Sequence, residues 1–343
     1  MSLLDQYHAL RRSAAIVDRS ARGRLLLTGA DRRAYLQGLL SNDIVALVPG
    51  SGCYATYLTA QGRMIADMRV FETGDALLVD LDGGVVQAVA DRWSQFIFSE
   101  DVQVQNISAT TAQIGVYGPR APDALVAAFN RAEPPGEPFP DAQGLRSLPV
   151  YGNARWDFSG VPVFLLVSDD IGVMGFDIIV PVKSKEDVAT LMRASGAIDA
   201  GMDAAEICRV EGGRPLFHAD MDEDTIPLEA GIEDRAISLT KGCYVGQEII
   251  IRVLHRGHGR VARKLVGITL DSGRAAPSRG DRIMSGARDV GSITSAVQSP
   301  GLGRPIALGY VHRDFVQPGT ALEIGGVPAS ITALPFIPVT PLV

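Results

Sequence analysis

Three places in this chain hold residues able to do chemistry. The first is Cys243, in the segment Lys241-Gly242-Cys243-Tyr244-Val245-Gly246-Gln247-Glu248. A helix starting near Gly246 and a lysine two residues back would both stabilise a thiolate, the reactive form of cysteine. Glycines on either side would let backbone approach a ligand closely. The competing reading is a small buried cysteine at a strand-to-helix turn. The second is Asp67, between Ala66 and Met68 in an otherwise apolar run where aspartate is depleted. It shares one strand face with Ile65, Arg69 and Phe71, and the competing reading is a simple pair with Arg69. The third is the stretch Arg252 to Lys264, which contains no acid. It would suit a polyglutamate tail, a phosphate or an RNA backbone, or it is a solvated basic face.

Other chemistries lack their residues. His255, His258 and His312 have no cysteine pair or carboxylate to complete a metal-ligand set, so no metal is expected. The acids Asp220, Asp222, Glu223 and Asp224 read as a solvated loop leading into Pro227. With 37 glycines there is still no Gly-x-Gly-x-x-Gly between a strand and a helix and no P-loop, which argues against dinucleotides and nucleoside triphosphates. No Ser-His-Asp set emerges from spacing.

The elements that must position these residues alternate between two periodicities. Leu25 to Thr28 is a short strand turning at Gly29, and Asp31 is placed to cap a helix carrying Tyr35, Leu36, Leu39 and Leu40. Ala55–Leu58, Met64–Phe71 and Ala76–Leu81 follow as hairpin-linked strands, with turns at Gln61-Gly62 and Gly74-Asp75. A helix over 85–98 buries Trp93, Phe96 and Ile97. A Pro/Gly loop spans 133–144, two buried strands cover 163–167 and 176–180, and a helix covers 185–195. After the break at 271–277, short β runs such as 306–311 predict a small barrel or sandwich. Strands joined by hairpins and then a helix predict an α+β fold.

Length, charge and cysteine usage narrow the class. A chain of 343 residues needs more than one core. A net charge of -7 disfavours wholesale nucleic-acid binding: DNA is excluded, and RNA has only the basic stretch in its favour. Three scattered cysteines fit a reducing, cytoplasmic setting, and no apolar run reaches membrane-span length.

The segment 241–248 resembles the signature of YgfZ-type folate-binding proteins, a branch of the glycine-cleavage aminomethyltransferase family. The resemblance extends along the chain through Gly29-Ala30-Asp31, Leu40-Ser41-Asn42-Asp43, Cys208-Arg209-Val210-Glu211, Asp220-Met221-Asp222-Glu223, Pro227 to Gly231, and Gly291 to Gly309. It implies an aminomethyltransferase-like folate-binding region over 1–260, of two interleaved subdomains, and a C-terminal β-barrel over 261–343. It implies tetrahydrofolate, polyglutamylated or not, held by Tyr54, Asp67, Asp177, Arg209, Lys241 and Gln247, with Cys243 and Asp67 as the chemically active pair. Asp177 falls where the aminomethyltransferases carry a glutamate. Two departures stand out: 171–174 lacks the usual acid, and Ala205 replaces a pterin-side arginine. The resemblance therefore points first to an accessory protein serving iron–sulfur client or assembly proteins and, through them, tRNA modification. The alternative is a folate-dependent aminomethyl transferase or demethylase using Asp67.

Overall fold

A computed structural model describes residues 1–130, 139–158, 160–256 and 260–343. Its strands are β1 Ala15–Asp18, β2 Gly23–Thr28, β3 Gly52–Leu58, β4 Met64–Glu72, β5 Leu77–Leu81, β6 Gln103–Asn106, β7 Thr111–Tyr117, β8 Asn153–Phe158, β9 Val161–Ser168, β10 Gly175–Pro181 and β11 Ile198–Asp199. The C-terminal strands are β12 Arg263–Leu270, β13 Arg282–Ser285, β14 Arg288–Ser299, β15 Arg304–His312, β16 Ala321–Ile324 and β17 Val327–Thr332. They form a five-stranded sheet ordered β3-β4-β5-β2-β6, a six-stranded sheet ordered β11-β1-β7-β10-β9-β8, and a closed barrel ordered β12-β15-β14-β13-β16-β17. The α+β class and the terminal barrel anticipated above are both present.

Period-two alternation in β4 decides how the sheets meet. Ala66, Met68 and Val70 turn into a core with Leu25, Leu27 and the helix Val86–Gln95, which buries Trp93. The opposite face of β4 looks toward the six-stranded sheet. There Phe71 and Leu78 meet Leu166 and Ile179 in a small apolar cluster, and Arg69 meets acids of the other sheet. The molecule therefore joins its two sheets partly through buried charge.

The barrel is wired to the same region. Arg209, on the helix Met202–Glu211, donates to the hydroxyl of Ser295 on β14 at 2.8 Å and to Asp220 at 2.7 Å. Asp220 in turn accepts from Ser295 and Thr294 at 2.7 and 2.5 Å. Two turns beyond Ala205, at the end of that helix, Glu211 accepts from Tyr7 at 3.0 Å, Arg11 at 2.5 Å and Ser299 at 2.5 Å. A fully buried carboxylate thus holds the first helix, Leu3–Arg12, and the barrel together.

Three local expectations need adjusting. Asp31 does not cap the helix Arg32–Leu39; its carboxylate accepts from the backbone N–H of Asp101 at 2.9 Å, tying that helix to the strand beginning at Gln103. The helix anticipated over 85–98 ends at Gln95 and leaves Phe96 and Phe98 exposed. Half of the Pro/Gly loop lies outside the described residues, but its end forms the helix Ala142–Ser147, capped by Asp141 on the N–H of Gly144 at 2.7 Å. Among the described residues, no helix is long and apolar enough to cross a membrane.

Candidate functional site

Between the two sheets and the helix Met202–Glu211 lies a narrow cleft. Tyr54 from β3, Asp67 and Arg69 from β4, Arg19 and Arg22 from the β1–β2 turn, Asp170, and Arg209 line it, with Ala205, Glu206 and Arg235 among the others.

Asp67 is half-buried and sits diagonally across the ladder from Tyr54, since Thr56 is its direct partner. The Tyr54 hydroxyl donates to one carboxylate oxygen at 2.7 Å. Burial raises the proton affinity of Asp67, only partly offset by that hydrogen bond and the charge of Arg22. The phenol of Tyr54, also buried, stays a donor because burial and the Asp67 charge push its pKa well above 10. Behind Tyr54, Tyr151 stacks with centroids 6.4 Å apart and planes 15° apart, and the Arg235 guanidinium lies 5.1 Å from the Tyr54 ring.

Asp67 does not pair with Arg69. The Arg69 guanidinium, 1% exposed, contacts Asp80 at 2.9 Å, Asp170 at 3.1 Å and Asp177 at 2.7 Å. The attraction is Coulombic, because its nitrogens lack hydrogen-bond alignment. Asp80 is wholly buried, and burial alone would raise its pKa; Arg22 and Arg69 override this and hold it well below the ordinary carboxylate value. Asp170 behaves alike under Arg69, Arg22 and Arg19.

The expected site residues divide between two regions. Tyr54, Asp67 and Arg209 come together at the cleft. Asp177 does not: its wholly buried carboxylate accepts from Tyr117 at 2.7 Å and faces Arg69, because the apolar residues on either side of it on β10, Phe176 and Ile178 to Val180, draw the strand into the core. Besides Asp67, the acids that line the cleft are Asp170 and Glu206. Asp170 stands one residue before the acid-free 171–174 stretch, and the arginine missing at Ala205 has a counterpart one helical turn on, in Arg209. Arg209 is committed to Glu206, Asp220, Ser295 and the carbonyl of Arg214.

Lys241, Cys243 and Gln247 lie off the cleft lining. The Lys241 ammonium donates to the carbonyls of Gln37, Leu40 and Asn42 at 2.6, 2.6 and 2.9 Å, closing the C-terminus of the helix Arg32–Leu39. Desolvation lowers its pKa to about 8. Cys243 is exposed, so the reading of it as a small buried residue does not hold. Gln247 opens the helix Gln247–Ile251, half-buried. Gly246 caps that helix with φ +85°, and a Cβ there would come within 2.5 Å of the Thr59 carbonyl. Gly246→Ala should therefore destabilise the protein by about 1–3 kcal/mol, read as a lower urea midpoint; an unchanged midpoint would show that the loop shifts freely.

Among the described residues, no group of three or more His, Cys, Asp or Glu side chains is arranged to hold a metal ion. Residues 257–259, central to the basic stretch, lie outside the described residues. Sequence reasoning missed Arg19, Arg22, Asp170 and Arg235. The available signal was three arginines within six residues at Arg19, Arg22 and Arg24.

Residues 2–241 match the family profile of the GCVT N-terminal domain, and residues 263–337 that of the glycine cleavage T-protein C-terminal barrel domain. The chain is 30% identical over 339 residues to an aminomethyltransferase of Thermosynechococcus vestitus, covering 98% of this chain and 88% of that protein. It is 28% identical over 345 residues to an aminomethyltransferase of Thermotoga maritima, with coverage of 98% and 89%. The crystal structure of glycine cleavage system aminomethyltransferase T from Bartonella henselae superposes with a TM-score of 0.85 at 20% identity, covering 99% of this chain and 90% of that one.

Proposed function

The chain belongs to the glycine cleavage T-protein family, and from that premise we propose that it binds tetrahydrofolate in the cleft around Asp67 and transfers a one-carbon unit carried on an amine. The observation that carries this reading is the Asp67–Tyr54 pair: a half-buried carboxylate in a cleft, one oxygen held by a phenol, the other making no hydrogen bond to a neighbouring side chain among the described residues. The surroundings suit a flat heterocycle. Tyr54 with Arg235 offers a stacking wall, and Asp170 and Glu206 can accept from an amino-pyrimidine edge.

Tetrahydrofolate, when bound, supplies the nitrogens that accept the carbon. The protein's part is positional and electrostatic. Asp67 stabilises positive charge on the carbon being transferred and takes up a proton at its free oxygen, while Tyr54 fixes its orientation. Tetrahydrofolate titrated calorimetrically into the full chain should bind, and aminomethyl donors, whose carbon is already at the methylene level, should turn over with release of the amine. No heat at millimolar tetrahydrofolate would sink the reading.

A second reading, the accessory protein serving iron–sulfur clients in the cytoplasm, has one observation in its favour. Cys243 is exposed on a loop off the cleft lining, where a thiol can meet a macromolecular partner rather than the cleft's ligand. The relatives' shared name, aminomethyltransferase, weighs toward the transferase. Cys243→Ala should leave turnover unchanged under the transferase reading. Loss of iron–sulfur enzyme rescue in cells lacking the native factor, with turnover absent in the wild type, would reverse the preference.

A further inference from the structure

The β1–β2 turn carries Arg19, Arg22 and Arg24, and the three are satisfied to different degrees. Arg24 is wholly buried, its guanidinium donating to the carbonyls of Arg22, Ser108 and Thr111 at 2.8, 2.8 and 3.1 Å. Arg22 pairs with the buried Asp80. Arg19 is 8% exposed and lines the cleft, yet its one charged partner among the described residues is Asp170 at 3.7 Å, beyond hydrogen-bond reach. Its Nε has no partner. Its backbone is pinned, the N–H donating to the Gln113 carbonyl at 2.9 Å, so the side chain is directed rather than adrift.

Withdrawing a guanidinium from water is costly unless an anion compensates it. Here the compensation falls short. The carboxylates of Asp80, Asp170 and Asp177 are each engaged by Arg22 or Arg69, and the Arg19 fork reaches none of them within hydrogen-bond distance. The Arg19 charge sits at the cleft wall on a planar fork suited to bidentate pairing. A singly charged planar anion matches it. A phosphate dianion would over-compensate and crowd Asp170, which is itself 21% exposed on that wall.

The geometry points to a carboxylate subsite formed by Arg19 with Arg22 beside it, so that the molecule held next to Asp67 bears a free carboxylate that docks on the Arg19 fork. This extends the folate reading of the same cleft. The carboxylate has two possible sources: the glutamyl group of folate, or a separate amino acid carrying the one-carbon unit on its nitrogen.

Three probes titrated into the full chain separate these: tetrahydrofolate, 6-methyltetrahydropterin, which has no carboxylate, and N-methylglycine added after saturating 6-methyltetrahydropterin. Arg19→Gln should weaken a carboxylate probe at least tenfold and leave 6-methyltetrahydropterin within twofold. A loss confined to tetrahydrofolate assigns the subsite to the glutamyl group; a loss on N-methylglycine assigns it to a second substrate. If Arg19→Gln fails to fold, Arg19→Lys makes the same comparison, since it keeps the charge and removes the fork. The subsite is overturned if the wild type binds no carboxylate probe, if the variant binds all three like the wild type, or if it weakens 6-methyltetrahydropterin equally. Arg19-dependent binding of N-methylglycine alone, with no pterin or folate bound, would retain the subsite and reject the folate reading.

Discussion

Asp67→Asn should lower the rate of one-carbon transfer at least about 100-fold while changing the tetrahydrofolate Kd only a few-fold. Asparagine keeps the size of the side chain and can still accept from Tyr54, which donates at 2.7 Å in the wild type, so the stack behind it survives. What is lost is the negative charge beside the carbon in transit, together with a proton acceptor. The pH profile makes a second check. Burial places the pKa of Asp67 above the ordinary carboxylate value, so wild-type activity should fall as pH drops through an inflection above about 4. The asparagine variant should lack that limb. Equal turnover in the two proteins would remove Asp67 from the chemistry and leave it a binding residue.

Arg69→Met should cost about 3–5 kcal/mol, the range for stripping one partner from a buried ion cluster. Asp80 and Asp177 are wholly buried, and Asp170 borders the cleft, so the variant leaves three carboxylates without their shared cation. A urea titration followed by circular dichroism measures this as a lower midpoint; a shift worth under 1 kcal/mol would mean that Arg22 and Arg19 take over the compensation. Acid unfolding carries the same signature. Because Asp80 and Asp170 are held below the unfolded value of about 4, their stabilisation is complete above that pH and is withdrawn as pH falls toward their folded values. Asp67, shifted the other way, opposes this with a contribution of opposite sign, favouring the folded state as it protonates. The Arg69→Met variant should show a much shallower acid limb.

Local signals carried the fold further than they carried the site. The β3, β4 and β5 hairpins were legible because alternation and the turns at Gln61-Gly62 and Gly74-Asp75 are short-range patterns. The Asp67–Tyr54 pair was half legible, since the strand pattern singled out Asp67 while Tyr54 came only from the family resemblance. The partners of Arg69 were not. Arg69 lies two residues from Asp67, yet its acids come from Asp80, Asp170 and Asp177, across two sheets. Nor did adjacency predict Lys241: two residues from Cys243 in the chain, its ammonium serves carbonyls of 37–42 instead. Asp177 shows the converse error. A family position gave it a ligand to grip, whereas the ladder gave it Tyr117 and Arg69.

The wiring through Arg209 and Glu211 bears on how this molecule can be dissected. A fragment ending before β12 would lose Thr294, Ser295 and Ser299, stranding Asp220 and Glu211 with fewer donors in an interior newly opened to water. A barrel expressed alone would carry those hydroxyls facing nothing. Seen this way, the C-terminal barrel is no detachable accessory. It buttresses the helix that forms one wall of the cleft, and the two halves should melt in a single transition and be inherited, engineered or lost as one unit.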